Sequence, residues 1–269
     1  MRVLALVVVY GADPLKTTSL CTLLATDFPR SNLRILVWDN SPSPLNNIAP
    51  LTDAGVAYRS TPENLGLSVI YNHVIKTDLQ DGEHLLLLDQ DTTLPTNFLA
   101  RCDAAVRQHP DIALFLPMIR ANSNWVSPLS YALGWGRYWP APKAGRMSSR
   151  KICAINSGML ISSTYLKEAC PGYDERLRFY GTDTQFMLDY MDRCAELVVL
   201  DLHLEHDLSF FSDSVQNRAE KFNTMRAAYR YIYEGRPIWQ RFGVAMVMQL
   251  VSITYAVRYR ELAFLRLLS

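Results

Sequence analysis

The sequence predicts an α/β protein: a central, mostly parallel sheet flanked by helices over residues 1–212, followed by a helical segment over 213–269. Three observations carry that expectation. Apolar, β-rich runs alternate with helical patterns at the spacing of βαβ units. The run Leu85-Leu86-Leu87-Leu88 lacks polar alternation, which marks a strand buried on both faces. Polar residues close the strand-like runs, at Tyr10, Asp39, Asn64 and the pair Asp89 and Asp91. Ligands of open α/β sheets bind beyond the carboxyl ends of the strands. Two carboxylates there, two residues apart, point to a metal–diphosphate site.

Val3–Tyr10 reads as the first strand, broken by Gly11, Asp13 and Pro14. Pro14–Thr26 reads as a helix with Leu15, Leu20, Leu23 and Leu24 on its apolar face. Leu33–Trp38 and Val56–Ser60 are the next strands, Gly66–Thr77 a helix and Leu85–Leu88 the fourth strand. Thr96–His109 is a helix and Ile112–Pro117 another buried strand. From Arg120 to Arg150 the pattern lapses, and Trp125, Tyr131, Trp135, Tyr138 and Trp139 are interleaved with Gly, Pro and Ser. A long aromatic loop in a compact domain is usually functional, and ring faces suit sugars. Packing against the core edge is the alternative. Met159–Ser162 is a strand after Asn156-Ser157-Gly158, where Gly158 is expected to let backbone approach a ligand.

Thr184–Arg193 reads as a helix, which puts Asp183 at or near its N-terminus, either as a cap or facing a pocket. Glu196–Leu202 is a strand with His203, His206 and Asp207 beyond it. His206 is a candidate metal ligand, whereas His203 is expected within or against the fold. Asn217–Tyr233 is a helix, and 239–268 alternates apolar turns with Arg241, Arg258, Arg260 and Arg266. That last segment reads first as an interfacial amphipathic helix, with a core-packed helix as the alternative.

The 269 residues, 49% hydrophobic and 20% charged, allow one large domain or two small ones. A net charge of +1 provides no global field for nucleic acid. Five scattered cysteines without a CxxC pair fit reduced thiols in the cytosol. The apolar start Val3–Val9 reads as a strand, not a secretory leader. Phe242–Val257 falls short of the roughly 20 residues of a spanning helix. Neither the phosphate loop nor the dinucleotide fingerprint follows the first strand, so a nucleotide would be held through Mg²⁺ or Mn²⁺ bridging its phosphates to Asp91.

Seven motifs, in order, resemble family 2 glycosyltransferases. They are Val7-Val8-Val9-Tyr10, Trp38-Asp39-Asn40-Ser41, Glu63-Asn64-Leu65-Gly66, Leu87-Leu88-Asp89-Gln90-Asp91, Asn156-Ser157-Gly158, Gly172-Tyr173-Asp174-Glu175 and Gly181-Thr182-Asp183. The resemblance implies the GT-A (Rossmann-like) fold and inverting transfer of a sugar to a hydroxyl. Asp89-Gln90-Asp91-Thr92 with Asn64-Leu65-Gly66 looks most like bacterial rhamnosyltransferases of O-antigen and related polysaccharide synthesis. The implied donor is dTDP-L-rhamnose, with a UDP- or GDP-sugar as the alternative, and the implied acceptor a glycan or lipid-linked saccharide. Site roles follow in the same way. Asp39 would contact the base or ribose beside Val9 and Tyr10, and Asn64, Gly66 and Gln90 would line the donor pocket. Asp89 would hold ribose or sugar, Asp91 and His206 the metal, and Asp183 would be the general base. Where the family often has Glu-Asp this chain has Thr182-Asp183, and where it often has His closely followed by Gly it has His206-Asp207. A metal-dependent nucleotidyltransferase is the rival from another class. Location in the cytoplasm, peripheral at the inner face of the membrane through the C-terminal helices, completes the expectation.

Overall fold

Continuous apolar strands need cover on both faces, and the chain supplies it with crossover helices. The computed structural model describes residues 1–121, 123–206 and 214–265, the side chain of His206 excepted. Strand β1 (Arg2–Val9) leads through α1 (Thr18–Leu24) to β2 (Leu33–Asp39), then through α2 (Ala49–Asp53) to β3 (Val56–Ser60). Helix α3 (Leu67–Thr77) returns the chain to β4 (Glu83–Asp89), which pairs in parallel with β1, Leu4 opposite Leu85 and Val8 opposite Asp89. Strand β1 also pairs in parallel with β2, and β2 with β3. The carboxyl ends of β1, β2, β3 and β4 therefore share one edge. This half matches the expected strand positions. The expected helix over 14–26 is broken, because Thr17 is extended and returns its amide and hydroxyl to the Pro14 carbonyl.

The second half is mixed. After β5 (Thr92–Thr93) and α4 (Phe98–Gln108), β6 runs from Leu114 to Ala121, beyond the expected end at Pro117. The aromatic stretch is not an irregular loop. It forms β7 (Asn124–Ser127), β8 (Leu129–Ala132), β9 (Trp135–Tyr138) and β10 (Gly145–Ser148), followed by β11 (Ile152–Cys153) and β12 (Leu160–Ser162). Helix α5 (Thr182–Arg193) precedes β13 (Glu196–His206), which is longer than expected and contains His203 and His206. Among the described residues the main sheet runs β10-β13-β6-β12-β4-β1-β2-β3, and β11-β8-β9 form a small second sheet. Strand β12 is antiparallel to both neighbours, while β6 and β13 are parallel.

Alternate strand residues feed two cores. Val3, Val7, Leu86 and Leu88 face α1 and α4, with Leu20, Phe98 and Cys102. Leu4, Leu6, Leu85 and Leu87 face α3 and α5, with Ile70, Tyr71, Phe186 and Tyr190. The chain ends with α6 (Val215–Ile232) and α7 (Ile238–Tyr259). Both helices also contribute to the second core, through Tyr229, Ile232, Val244 and Met248. The expected boundary at 212/213, like Asp207 and Arg266, lies outside the described residues.

Candidate active site

The carboxyl edge of the sheet gathers the residues the sequence singled out. Asp89 ends β4, and Asp89, Gln90 and Asp91 are half-buried, neither sealed in the core nor fully in solvent. Their turn is tied down from three sides. The Asp89 amide donates to Ser157 Oγ at 3.1 Å, and Ser157 Oγ meets Thr92 Oγ1 at 2.5 Å. Ser19, on α1, donates its hydroxyl to the Asp89 carbonyl and accepts the Thr92 amide. Gln90 Oε1 accepts the Tyr10 amide at 2.8 Å, so Gln90 clamps the β1 and β4 loops together. Tyr10 itself is half exposed beyond the strand. Val9 is fully buried and its carbonyl accepts the Asn40 amide, so it fastens β1 to the start of the β2 loop.

Asp39 is buried at the end of β2. Its Oδ1 accepts the Ser41 amide at 3.0 Å, and its Oδ2 accepts the Tyr58 hydroxyl at 2.7 Å and the Leu45 amide at 3.3 Å. Burial and this carboxylate together push the Tyr58 hydroxyl up to about 12. The bonds shape a cleft of about 520 Å³ between Gly11–Pro14 and Ser41–Asn46, with Asp39 in its wall. Next to it, Asn40 uses its whole amide on the β3–α3 loop. Its Nδ2 donates to Asn64 Oδ1 and to the Leu65 carbonyl, and its Oδ1 accepts the Leu65 amide and the Thr61 hydroxyl. Asn64 is thereby held in the left-handed region at φ +50°.

Packing gives two of the glycines a structural reason of their own. A Cβ on Gly66 would lie 2.9 Å from Arg178 Cα, so the close approach there is made by the chain's own segment. The Leu67 amide donates to the Arg178 carbonyl at 2.6 Å, and Arg178 Nη2 to the Asn64 carbonyl at 2.7 Å. A Cβ on Gly158 would strike Pro117 and Leu204, so the fold itself requires a glycine there.

Asp183 comes from the far half of the chain. It is the second residue of α5, after Gly181 at φ +85°, and its Oδ1 accepts the Thr184 amide at 2.7 Å. Burial raises its carboxyl above the ordinary range, with the Thr184 bonds opposing that rise in part. Tyr71 is fully buried on α3. Its phenol is raised well above normal by burial first, then by the charges of Asp89 and Asp183. The carboxylate that ends β4 and the one that begins α5 are thus both within electrostatic reach of one phenol, whose hydrogen-bond partner is Asn156. Asn156 Nδ2 donates to Thr182 Oγ1 at 3.0 Å.

Among the described residues, no three His, Cys, Asp or Glu side chains gather closely enough to hold a metal alone. Asp89 and Asp91 form a two-carboxylate oxygen set, which suits Mg²⁺ or Mn²⁺ when phosphates supply further ligands. His206 pairs by backbone with Thr92, the residue after Asp91; its side chain lies outside the described part. His203 sits edge-on to Trp125 at 6.1 Å. The aromatics divide as follows: Tyr131 is buried, Trp125 and Trp139 pack on the core, and Trp135 and Tyr138 are exposed.

Tyr71, Ser19 and Arg178 were not found from the sequence. Tyr71 and Ser19 look like ordinary helix residues, and Arg178 like a solvated cation. Their signal is purely tertiary.

No protein-family model matches the sequence, and neither does any curated protein. Solved structures do. The crystal structure of S. aureus TarS residues 1–349 superposes with a TM-score of 0.60 at 16% identity, covering 82% of this chain and 65% of that one. The longer S. aureus TarS structure gives 0.61 at 15%, covering 94% of this chain and 42% of that one. TarS 1–349 in complex with UDP-GlcNAc gives 0.59 at 15%, covering 84% and 66%. The chain therefore spans at most about two thirds of the TarS chains it resembles. At such identity the likeness establishes architecture, and the chain has the α/β GT-A fold with C-terminal helices.

Proposed function

We propose that this chain is an inverting glycosyltransferase that moves a sugar from a nucleotide-sugar donor to a hydroxyl acceptor. The observation that carries the reading is that Asp89 ends a central strand of a GT-A sheet while Asp183, at the start of α5, is a buried carboxylate whose charge reaches the same phenol, Tyr71, as that of Asp89. It is supported by the UDP and UDP-GlcNAc complexes of TarS, a protein of the same architecture.

In this reading the cleft beside Asp39 takes the donor's base and ribose, and Asp89 faces the ribose or sugar. Asp183 accepts the acceptor's proton as the hydroxyl oxygen bonds to the anomeric carbon. The bond from that carbon to the diphosphate oxygen breaks on the opposite face, and the electron pair leaves with the nucleoside diphosphate. A desolvated carboxylate is a stronger base than one in water, which suits proton abstraction. Asp91, with Asp89 and His206 as further candidates, would hold Mg²⁺ or Mn²⁺ against the donor phosphates. Such an ion would supply charge neutralisation to the departing diphosphate.

The finer reading is dTDP-L-rhamnose as donor and a glycan or lipid-linked saccharide of cell-surface polysaccharide as acceptor, in the cytoplasm. It rests on the Asp89-Gln90-Asp91-Thr92 and Asn64-Leu65-Gly66 motifs. A thermal-shift screen of dTDP-rhamnose, UDP-sugars and GDP-sugars, with and without Mn²⁺ or Mg²⁺, tests both levels, since a ligand that binds the native state raises Tm. The expected result is metal-dependent stabilisation, largest with dTDP-rhamnose. Preference for a UDP- or GDP-sugar would overturn the donor, and no stabilisation by any nucleotide sugar would overturn the transferase reading.

A further inference from the structure

Helix α7 leaves one face uncovered. Trp239, Phe242, Met246, Leu250, Ile253 and Val257 are all exposed, from 46% for Ile253 to 74% for Val257. Their spacing of three and four puts them on one side of the helix, in a stripe about 27 Å long at 1.5 Å per residue. The opposite side is occupied by protein: Val244, Met248 and Val251 are buried, and Ser252 accepts a hydrogen bond from Arg226 at 2.8 Å. The sequence expectation of a run too short to span is corrected here: the helix extends over 22 residues, Ile238–Tyr259, and is long and apolar enough to cross a bilayer. This packing of its other face against the domain instead leaves it a surface element with an apolar outer face.

A cleft of about 490 Å³ runs beside the stripe, between α6 and α7. Arg226, Tyr229 and Arg230 line it from α6, and Arg241, Ala245 and Gln249 from α7. Each of those α7 residues directly precedes a stripe residue: Phe242, Met246 and Leu250. The cationic row and the apolar row are therefore adjacent along the same helix. Arg226 is half-buried and Arg241 stands across the cleft from it, so the cleft presents positive charge from both helices. Glu234, the acidic residue among the described lining residues, pairs with Arg176 at 2.7 Å. Residues 214–265 hold eight Lys and Arg against three Glu, a net of +5 within a chain whose total is only +1. The near-neutral total conceals this segregation.

We propose that the α6–α7 face docks on an anionic phospholipid bilayer, with α7 in the membrane plane, its apolar stripe at the acyl boundary and lipid phosphates in the arginine cleft. Basic residues beside an apolar helix face are the arrangement that binds such a surface. The same helices lie over the candidate base: a Cβ on Gly181 would meet Ile232 and Ala228 of α6. Docking would thus hold Asp183 near the bilayer and favour an acceptor carried on a lipid. The docking itself stands whether or not the sugar-transfer reading does, and only the lipid-borne acceptor depends on it.

Co-sedimentation of the full chain with phosphatidylglycerol-rich and with pure phosphatidylcholine vesicles tests the proposal. Binding to the first, weakened by salt and much lower with the second, is expected. Arg230→Gln with Arg241→Gln, and separately Phe242→Ser with Leu250→Ser, should each lower the bound fraction roughly tenfold or more. The variants' Tm values establish that they remain folded. No binding of the wild-type chain to anionic vesicles at low salt would overturn the proposal. So would a Tm rise with inorganic phosphate unaccompanied by vesicle binding, or a dimer in light scattering that Phe242→Ser with Leu250→Ser dissolves. Donor-induced stabilisation is read separately, so loss of either result leaves the other interpretable.

Discussion

Asp183 shows how one residue's surroundings set its chemistry. Burial lifts its carboxyl pKa above that of an unfolded chain. The folded state then holds that proton more tightly, so the group's stabilising contribution is present in acid and lost as pH rises through the raised value. At neutral pH the ionised carboxylate costs stability. Asp183→Asn should therefore leave Tm at pH 7 equal to or above that of wild type, with the advantage shrinking in acid, while transfer falls by about 10²–10⁴. Calorimetry beside nucleoside-diphosphate release reads both. Transfer within a few-fold of wild type would remove Asp183 from the role of base. The acid limb of kcat/KM should lie above the ordinary Asp value of about 3.9; a limb at that value would show that burial does not reach the reacting carboxylate. Asp183 was legible from its place before a helical pattern. The phenol of Tyr71, which feels its charge, was not, because a tyrosine on an apolar helix face looks alike wherever that face packs.

At the scale of elements, strands β1 to β4 were legible because each is a local pattern with its own crossover helix. The stretch after Arg120 was not. Strand β10 finds its partner in β13 and β11 in β8, pairings fixed by distant residues. The loops at the carboxyl edge of the sheet are likewise held by contacts between elements. Asn40→Ala removes four hydrogen bonds that fasten Thr61, Asn64 and Leu65. The loss should cost about 1–3 kcal/mol, the penalty for stranding buried polar groups, and should weaken donor binding as Asn64 is released. Urea unfolding and nucleotide-sugar titration measure the two effects. Unchanged stability would mean that water replaces the amide without cost. Gly66→Ala tests the neighbouring joint. Its Cβ would press on Arg178 backbone, which cannot move as a flexible side chain can. A loss of about 1–3 kcal/mol is expected, as for overpacking elsewhere. Full stability in this variant would show that the 176–178 segment yields.

At the scale of the whole molecule, the sequence divides into a sheet domain and a helical extension, yet the two share a core. Tyr229, Ile232 and Tyr233 of the α6 end, with Val244 and Met248 of α7, pack in the same cluster as Leu87, Tyr173 and Phe186. Gly134, at the tip of the β8–β9 hairpin, would carry a Cβ 2.7 Å from Val244, so the hairpin and α7 leave no space between them. Fully burying such side chains contributes about 1.5–3 kcal/mol each. Five of them amount to roughly 7–15 kcal/mol, as large as the net stability of a typical domain. The full chain should accordingly unfold in one transition, with far-UV circular dichroism and tryptophan fluorescence coinciding, the latter reporting on Trp38 in the sheet and Trp239 on α7. A chain ending at residue 213 should lose that transition or show it at a much lower temperature, since Tyr131, Gly181 and Phe186 would lose their cover. Two separated transitions in the full chain, or a wild-type Tm in the shortened one, would mean that the C-terminal helices are an appendage. The arginine cleft and apolar stripe would then be free to move relative to Asp183, and the geometric link from bilayer to acceptor would be lost.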